Sequence, residues 1–249
     1  MIPAIEVRHL NYAYPDGSEA LHDVTFAVQA NECVGLIGPN GSGKSTLLMH
    51  LNGLLPATFP TQASVTIAGM PVDPGTISTV RRRVGLLFQN PDDQLFSPTV
   101  FEDIAFGPRQ FQSSESDVRR RVEKALHDVG MDSFADRAPH RLSEGEKKRI
   151  CLAGVLACVP DILVLDEPTA ELDPRGRRQF RQLLGSLQKT TIIASHDLDL
   201  VAGLCSRSIV LDGGRIVADG PSMELLADEA LMLKHGLETP CALRQRRRE

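Results

Sequence analysis

An apolar run, Cys33-Val34-Gly35-Leu36-Ile37, leads without a spacer into Gly38-Pro39-Asn40-Gly41-Ser42-Gly43-Lys44-Ser45, and a helix is expected to begin near Lys44. That order of buried strand, glycine loop and helix is the one phosphate binding needs. Glycines at 38, 41 and 43 let the backbone curl so that successive N–H groups point inward, and the helix that follows adds the positive end of its dipole. In such a loop the ammonium of Lys44 reaches the β and γ phosphates, and the Ser45 hydroxyl ligates Mg²⁺.

Three further segments complete the chemistry. Ile162-Leu163-Val164-Leu165 ends in Asp166-Glu167-Pro168. This strand is expected to lie beside the one that enters the phosphate loop, with Asp166 near the magnesium water shell. Glu167 is then the candidate base for a water attacking the γ phosphate. His196, after a strand over 191–194, is placed to contact the γ phosphate and to order Glu167. Upstream, Leu142-Ser143-Glu144-Gly145-Glu146 opens a helix, and Ser143 and Glu146 have capping-box spacing. A second phosphate-seeking helix N-terminus has a use if two nucleotide sites are completed between two copies of the chain.

The remaining segments supply a frame. Alternating residues over 5–10 and 21–28 read as half-exposed antiparallel strands around a turn at Pro15-Asp16-Gly17. Residues 84–88 form another buried strand, broken by the turn formers Gln89-Asn90-Pro91-Asp92-Asp93-Gln94. Val118, Val122, Ala125, Leu126 and Val129 keep helical spacing, and a further helix should run from Ser143 towards Cys158. An α/β pattern then resumes, with strands over 162–165 and 191–194, a helix over 175–187, and a hairpin over 208–217 turning at Asp212-Gly213-Gly214. The expected organisation is a nucleotide-binding core over 1–90 and 159–220, a helical subdomain over 91–158 and a tail over 221–249.

Composition narrows the setting. The 249 residues are 42% hydrophobic, enough for a substantial core, and no run approaches the ~20 apolar residues of a membrane span. The start, Met1-Ile2-Pro3-Ala4-Ile5-Glu6, lacks the basic and apolar regions of a secretory signal, so the chain is expected to stay in the cytosol. Cys33, Cys151, Cys158, Cys205 and Cys241 show no C-x-x-C spacing and read as reduced, structural thiols. A net charge of -5 gives no global attraction for nucleic acid.

With these motifs together, the chain resembles the ATP-binding subunits of ABC transporters over nearly its whole length. The resemblance implies an α/β fold: a P-loop NTPase (RecA-like) core with an N-terminal antiparallel β subdomain and an inserted α-helical subdomain. It implies ATP and Mg²⁺ as cofactors. Gly38, Pro39, Asn40, Gly41, Ser42, Gly43, Lys44, Ser45 and the following Thr46 match the Walker A cradle. Gln89 matches the Q-loop glutamine, which with Ser45 and Asp166 serves the metal. Asp166 and Glu167 match the Walker B pair, Asp173 the D-loop aspartate, and His196 the switch histidine. Tyr14 matches the aromatic that stacks on adenine, a contact worth about 1 to 3 kcal/mol per base in nucleic-acid complexes.

Residues 142–146 match the signature, with Ser143 and Gly145 facing the partner's nucleotide, but Glu144 and Glu146 replace the usual glycine and glutamine. A carboxylate turned towards a γ phosphate at ~6 Å costs roughly 3 kcal/mol per unit phosphate charge at an effective dielectric of ~20. Glu144 must therefore point away.

The stretch over 88–108 is similar to the Q-loop region of energy-coupling factor transporters, and Lys234-His235-Gly236-Leu237-Glu238-Thr239-Pro240 is similar to their cobalt and nickel systems. Implied partners are a second copy of the chain, a transmembrane coupling subunit and a substrate-binding membrane subunit, with no nucleic acid. The implied place is the cytoplasmic side of the membrane. Asp92 and Asp93 are candidates to meet arginines of the membrane partner, and the tail Arg244-Gln245-Arg246-Arg247-Arg248 to meet anionic lipid. A vitamin importer, an exporter and a non-transport ABC ATPase acting on nucleic acid or the ribosome remain alternatives. The seven histidines are dispersed, so the chain is not expected to select a metal itself.

Overall fold

The computed structural model describes residues 2–111 and 113–240. Cys241 and the arginine-rich tail lie outside them. Four strands, in the order β2-β1-β4-β5, form an antiparallel sheet: β1 (Ile5–Ala13), β2 (Glu19–Val28), β4 (Val65–Ile67) and β5 (Met70–Pro71). β3 (Cys33–Ile37) and α1 (Lys44–Leu51) sit between β2 and β4 in the chain. α2 (Ile77–Arg83) leads into β6 (Val84–Leu87), and then come α3 (Val100–Gln110), α4 (Glu115–Asp128) and α5 (Glu144–Ala157). The chain continues through β7 (Ile162–Asp166), α6 (Pro174–Ser186), β8 (Thr190–Ala194), α7 (Leu198–Leu204), β9 (Arg207–Asp212) and β10 (Arg215–Pro221). It ends in α8 (Ser222–Ala227) and α9 (Glu229–Lys234).

The second sheet has the order β10-β9-β3-β8-β7-β6 and is parallel except for the β9–β10 pair. β3 and the first four residues of β7 are apolar because both faces of the sheet are covered. Along β7, Leu163 and Leu165 enter the core shared with α3, α4 and α5, whereas Ile162 and Val164 enter the core shared with the antiparallel sheet and α1. The alternation is the strand's two-residue period expressed in two directions.

β7 does not lie beside β3, contrary to the sequence-based expectation. β8 separates them and pairs in parallel with both. After α6 the chain crosses back over the sheet and slots β8 into the gap, where Ile192 and Ile193 meet one core each. Periodicity marks a strand as buried but carries no information about its neighbours. The consequence is useful: Asp166 stands in register with Ala194, so residues 167 and 195–196 leave adjacent strand ends.

Helix boundaries follow capping chemistry. Thr99, Ser114 and Ser143 cap α3, α4 and α5, and Asp173 caps α6 with Pro174 at its first position. The four described cysteines are free thiols, and the sulfurs of Cys33 and Cys205 lie 3.4 Å apart.

Candidate nucleotide site

A cleft of about 820 Å³ opens where β3, β7 and β8 end. Tyr14, residues 38–46, Gln89, Asp166, Glu167 and His196 all line it, although they span most of the chain. The glycine loop is seated tightly. A Cβ on Gly38 would come within 2.0 Å of the Leu211 carbonyl oxygen. Gly43 caps α1 at φ 101°, and a Cβ there would meet the Ala20 carbonyl at 2.6 Å.

Lys44 is 8% exposed and donates to the Gly38 and Pro39 carbonyls, both at 2.8 Å. Burial pushes its ammonium below the usual lysine range, while Glu167 and Asp166 pull the other way. Ser42 Oγ is buried without a partner. A cation and an unpaired hydroxyl under inward-turned amides suit a polyphosphate.

The opposite wall is acidic. Burial raises the pKa of Asp166 above the usual carboxylate range, its bond with Ser45 opposes this, and Glu167 adds to the rise. Asp166 Oδ1 is buried with no partner. Orphaned carboxylate oxygen, serine hydroxyl and the Gln89 carboxamide make an all-oxygen donor set that fits Mg²⁺.

Glu167 is 6% exposed, and its carboxylate is fully engaged. Ser195 Oγ donates to Oε2 at 3.2 Å and the His196 amide to Oε1 at 3.0 Å. His196 Nδ1 lies 2.7 Å from Oε2. A carboxylate only accepts, so Nδ1 carries the proton and orients the ring. The pair has the form of a base held by an orienting histidine.

Tyr14, 36% exposed, shares a 2.8 Å hydrogen bond with Thr46 Oγ1 and stands edge-on to Tyr12 at 5.1 Å. Its ring is therefore held at the mouth of the cleft.

Ser143, Gly145 and Asp173 do not line this cleft. Asp173 Oδ1 accepts the Gly176 amide at 2.6 Å, so its side chain caps α6 and is not aimed at the nucleotide of its own chain. At the α5 tip, Glu146 Oε2 accepts from both the amide and the hydroxyl of Ser143 at 2.8 Å. Those two donors are thus taken by a carboxylate, and the amides of Glu144 and Gly145 are the first-turn donors left without an intrahelical acceptor. Glu144 accepts from Lys147 at 3.0 Å, and Lys147 also holds Asp92 at 2.8 Å. Asp92 is therefore paired within its own chain, although its side chain stays 65% exposed.

Sequence reasoning missed several groups. Ser195 was passed over beside His196, and Gly236 and Leu237 line the cleft from the far end of the chain, where His235 bonds Asp212 at 2.8 Å. Lys148 was also missed. It falls on the inward stripe with Cys151, Leu152 and Val155, and a lysine on an apolar stripe is the signal that would have found it.

The model of the family described as ABC transporter matches residues 21–170. The chain belongs to this family. A Gloeobacter violaceus protein provisionally named as an ABC transporter ATP-binding protein is 51% identical over 245 residues, 98% of this chain and 99% of its own. The energy-coupling factor transporter ATP-binding protein EcfA of Methanocaldococcus jannaschii is 45% identical over 241 residues, 95% of this chain and 85% of its own. Among solved structures, cbiO1 of Clostridium perfringens, part of the ABC transporter complex cbiONQ, superposes with a TM-score of 0.81 at 36% identity, covering 99% of this chain and 100% of that one. The ABC protein is thus an ATP-binding subunit of the energy-coupling factor type. ATP hydrolysis coupled to transport is the general activity of such subunits.

Proposed function

We propose that the chain is the ATPase of an importer for cobalt or nickel ions and that it acts as a homodimer on the cytoplasmic face of the membrane. The observation that carries the dimer is the separation of parts. One chain holds a phosphate cradle, a carboxylate–histidine pair and Tyr14 in one cleft, while its signature tip, Ser143 to Gly145, faces elsewhere. Two copies arranged head to tail give each cleft the other's helix tip. ATP binding then closes the dimer, and hydrolysis opens it.

Within each site, Lys44 and the loop amides bind the phosphates, and Glu167 accepts the proton of the attacking water. His196 holds the Glu167 carboxylate in place. Bound through Ser45, Asp166 and Gln89, Mg²⁺ would neutralise charge on the phosphates. Asp173 shapes the interface through the α6 cap.

A groove supports the membrane partner. Leu54, Phe88, Phe96 and Phe106 line a cavity of about 380 Å³ between the sheet and the helical layer. Phe96 is 66% exposed and Phe106 46%, and their rings meet edge to face at 5.0 Å. Asp93 also lines this groove. Asp103 and Arg81 line it too, and an apolar groove with two carboxylates at its edge suits a helix with aromatic or aliphatic anchors and a basic residue. We assign it to the transmembrane coupling subunit, which works with a substrate-binding membrane subunit. The cargo reading rests on the likeness of residues 234–240 to cobalt and nickel systems and on the match to cbiO1. Among the described residues no cluster of His, Cys, Asp or Glu could hold a metal, so cargo selection is assigned to the membrane subunits.

Uptake of radioactive cobalt and nickel by cells expressing the chain with its membrane subunits tests this reading. Wild type is expected to accumulate one of the two ions. Glu167→Gln is expected to accumulate neither, while its purified form collects as an ATP-bound dimer. Equal uptake by the variant would overturn the assignment of the base, and vitamin uptake in place of metal would overturn the cargo.

A further inference from the structure

Lys148 is 2% exposed, yet no ion pair holds it among the described residues. An ammonium taken out of water without a paired carboxylate is costly and needs a reason. Among the described residues its Nζ donates to one group, the backbone carbonyl of Glu167, at 3.0 Å. That carbonyl also accepts the Ala170 amide at 3.1 Å, closing the turn that follows β7.

Glu167 stands at φ 45°, a left-handed conformation that side-chain-bearing residues rarely adopt, immediately before Pro168. Such a backbone persists where its surroundings hold it. The Glu167 amide donates to Ala194 at 2.9 Å, and the carboxylate is gripped by Ser195 and His196. Those partners all come from β8 and the segment after it. Lys148 alone comes from the helical layer.

Lys148 lies in the second turn of α5, the helix that Ser143 caps. A Cβ on Gly145 would touch Leu172 at 3.6 Å, so the same first turns also rest against the loop before α6. A helix is a stiff rod over this distance, about 7 Å from tip to lysine at ~1.5 Å per residue. Any shift of its tip is felt at the Glu167 carbonyl. Under the dimer reading above, on which this inference rests, that tip serves one nucleotide while Glu167 serves the other.

We propose that Lys148 is a positioning residue through which the base of each site responds to the nucleotide of the other. The mechanism is geometric. A triphosphate bound by the partner pulls on the α5 tip, α5 carries Lys148, and Lys148 resets the turn that aims the Glu167 carboxylate. Burial keeps the ammonium below its ordinary pKa, while Glu171 and Glu167 pull it up.

Steady-state ATPase assays on the full chain, normalised to bound nucleotide per protomer, test the proposal with Lys148→Met, Lys148→Gln, Lys148→Arg and Glu167→Gln. Wild type is expected to respond cooperatively to ATP. Lys148→Met keeps the stem and removes the donor. It should leave KM for ATP within about twofold and lower kcat by roughly ten- to a hundredfold, the scale of an ångström-level misplacement. Its Hill coefficient should fall to about 1.

Lys148→Gln should lower kcat and the Hill coefficient the same way, which keeps the test open if the methionine variant fails to fold. Lys148→Arg should restore much of both. A fall in kcat with unchanged cooperativity would mean a structural prop and would overturn the proposal, as would wild-type behaviour of both neutral variants. If Glu167→Gln turns over normally, the assignment of the base fails first. If it is inactive while the Lys148 variants are normal, this inference alone fails.

Discussion

Asp166 and Lys44 are both drawn out of water around a cleft built for a charged ligand, and their energetics follow from that purpose. The Asp166 carboxylate is 6% exposed with one oxygen unpaired, and burial raises its pKa above the ordinary 3.8. The folded state therefore binds this proton more tightly than the unfolded chain. Stability is lost as pH rises from 3.8 towards the raised folded value, and the loss persists above it. Asp166→Asn removes the ionisation while keeping a similar shape. Without nucleotide it is expected to melt higher than wild type at neutral pH, by about 2 to 4 °C for each kcal/mol recovered, with the gap closing in acid. Added Mg²⁺ and ATP should raise the melting temperature of wild type and leave the variant nearly unmoved. Thermal denaturation across pH, with and without nucleotide, checks both arms. A destabilised ligand-free variant would contradict the argument.

At the scale of elements, α4 and α5 begin alike and end in different roles. Ser114 and Ser143 each accept an amide one turn into their helices, from Asp117 at 3.2 Å and Glu146 at 3.4 Å. Removing either hydroxyl should cost about 1 kcal/mol, the usual worth of such a cap. Ser114→Ala and Ser143→Ala are thus expected to lose similar stability in chemical denaturation. Their turnover should separate: Ser114→Ala keeps wild-type ATPase activity, and Ser143→Ala loses most of it because, in the proposed dimer, its helix tip completes the partner's site. Equal activities would remove the signature helix from the mechanism. The tip itself carries an unusual charge, since Glu146 is held ionised by the Ser143 amide and hydroxyl. That carboxylate stands where a neutral glutamine is usual in the family resemblance.

At the scale of the whole molecule, the nucleotide cleft and the groove proposed for the membrane subunit lie on different surfaces. The nucleotide cleft lies at the strand ends, and the aromatic groove lies between the sheet and the helical layer. No helix among the described residues is long and apolar enough to cross a membrane. Phe106→Glu places a charge in the groove without touching the cleft. It is expected to leave ATPase activity of the isolated protein unchanged and to abolish co-purification with the membrane subunits. Retained co-purification would move the docking surface elsewhere. Asp93 lines the groove, and Asp92 beside it is held by Lys147.

Short-range information was legible from the residues alone. The glycine loop between β3 and α1, the apolar β7 ending in an acidic pair, the capped start of α5 and the spacing of α4 all depend on neighbours within a turn or a strand. The gathering of loop, Walker B pair and histidine was legible too, because each stands at the end of an apolar strand, but it is the sheet that brings those ends together. Tertiary structure decided the order of strands, with β8 between β3 and β7, and it decided who pairs with whom. Lys147 reaches Asp92 across 55 positions and Lys148 reaches Glu167 across 19. Periodicity tells a strand or helix which face to bury, but only the packed layers set the distances between remote side chains, and charge pairing depends on those distances.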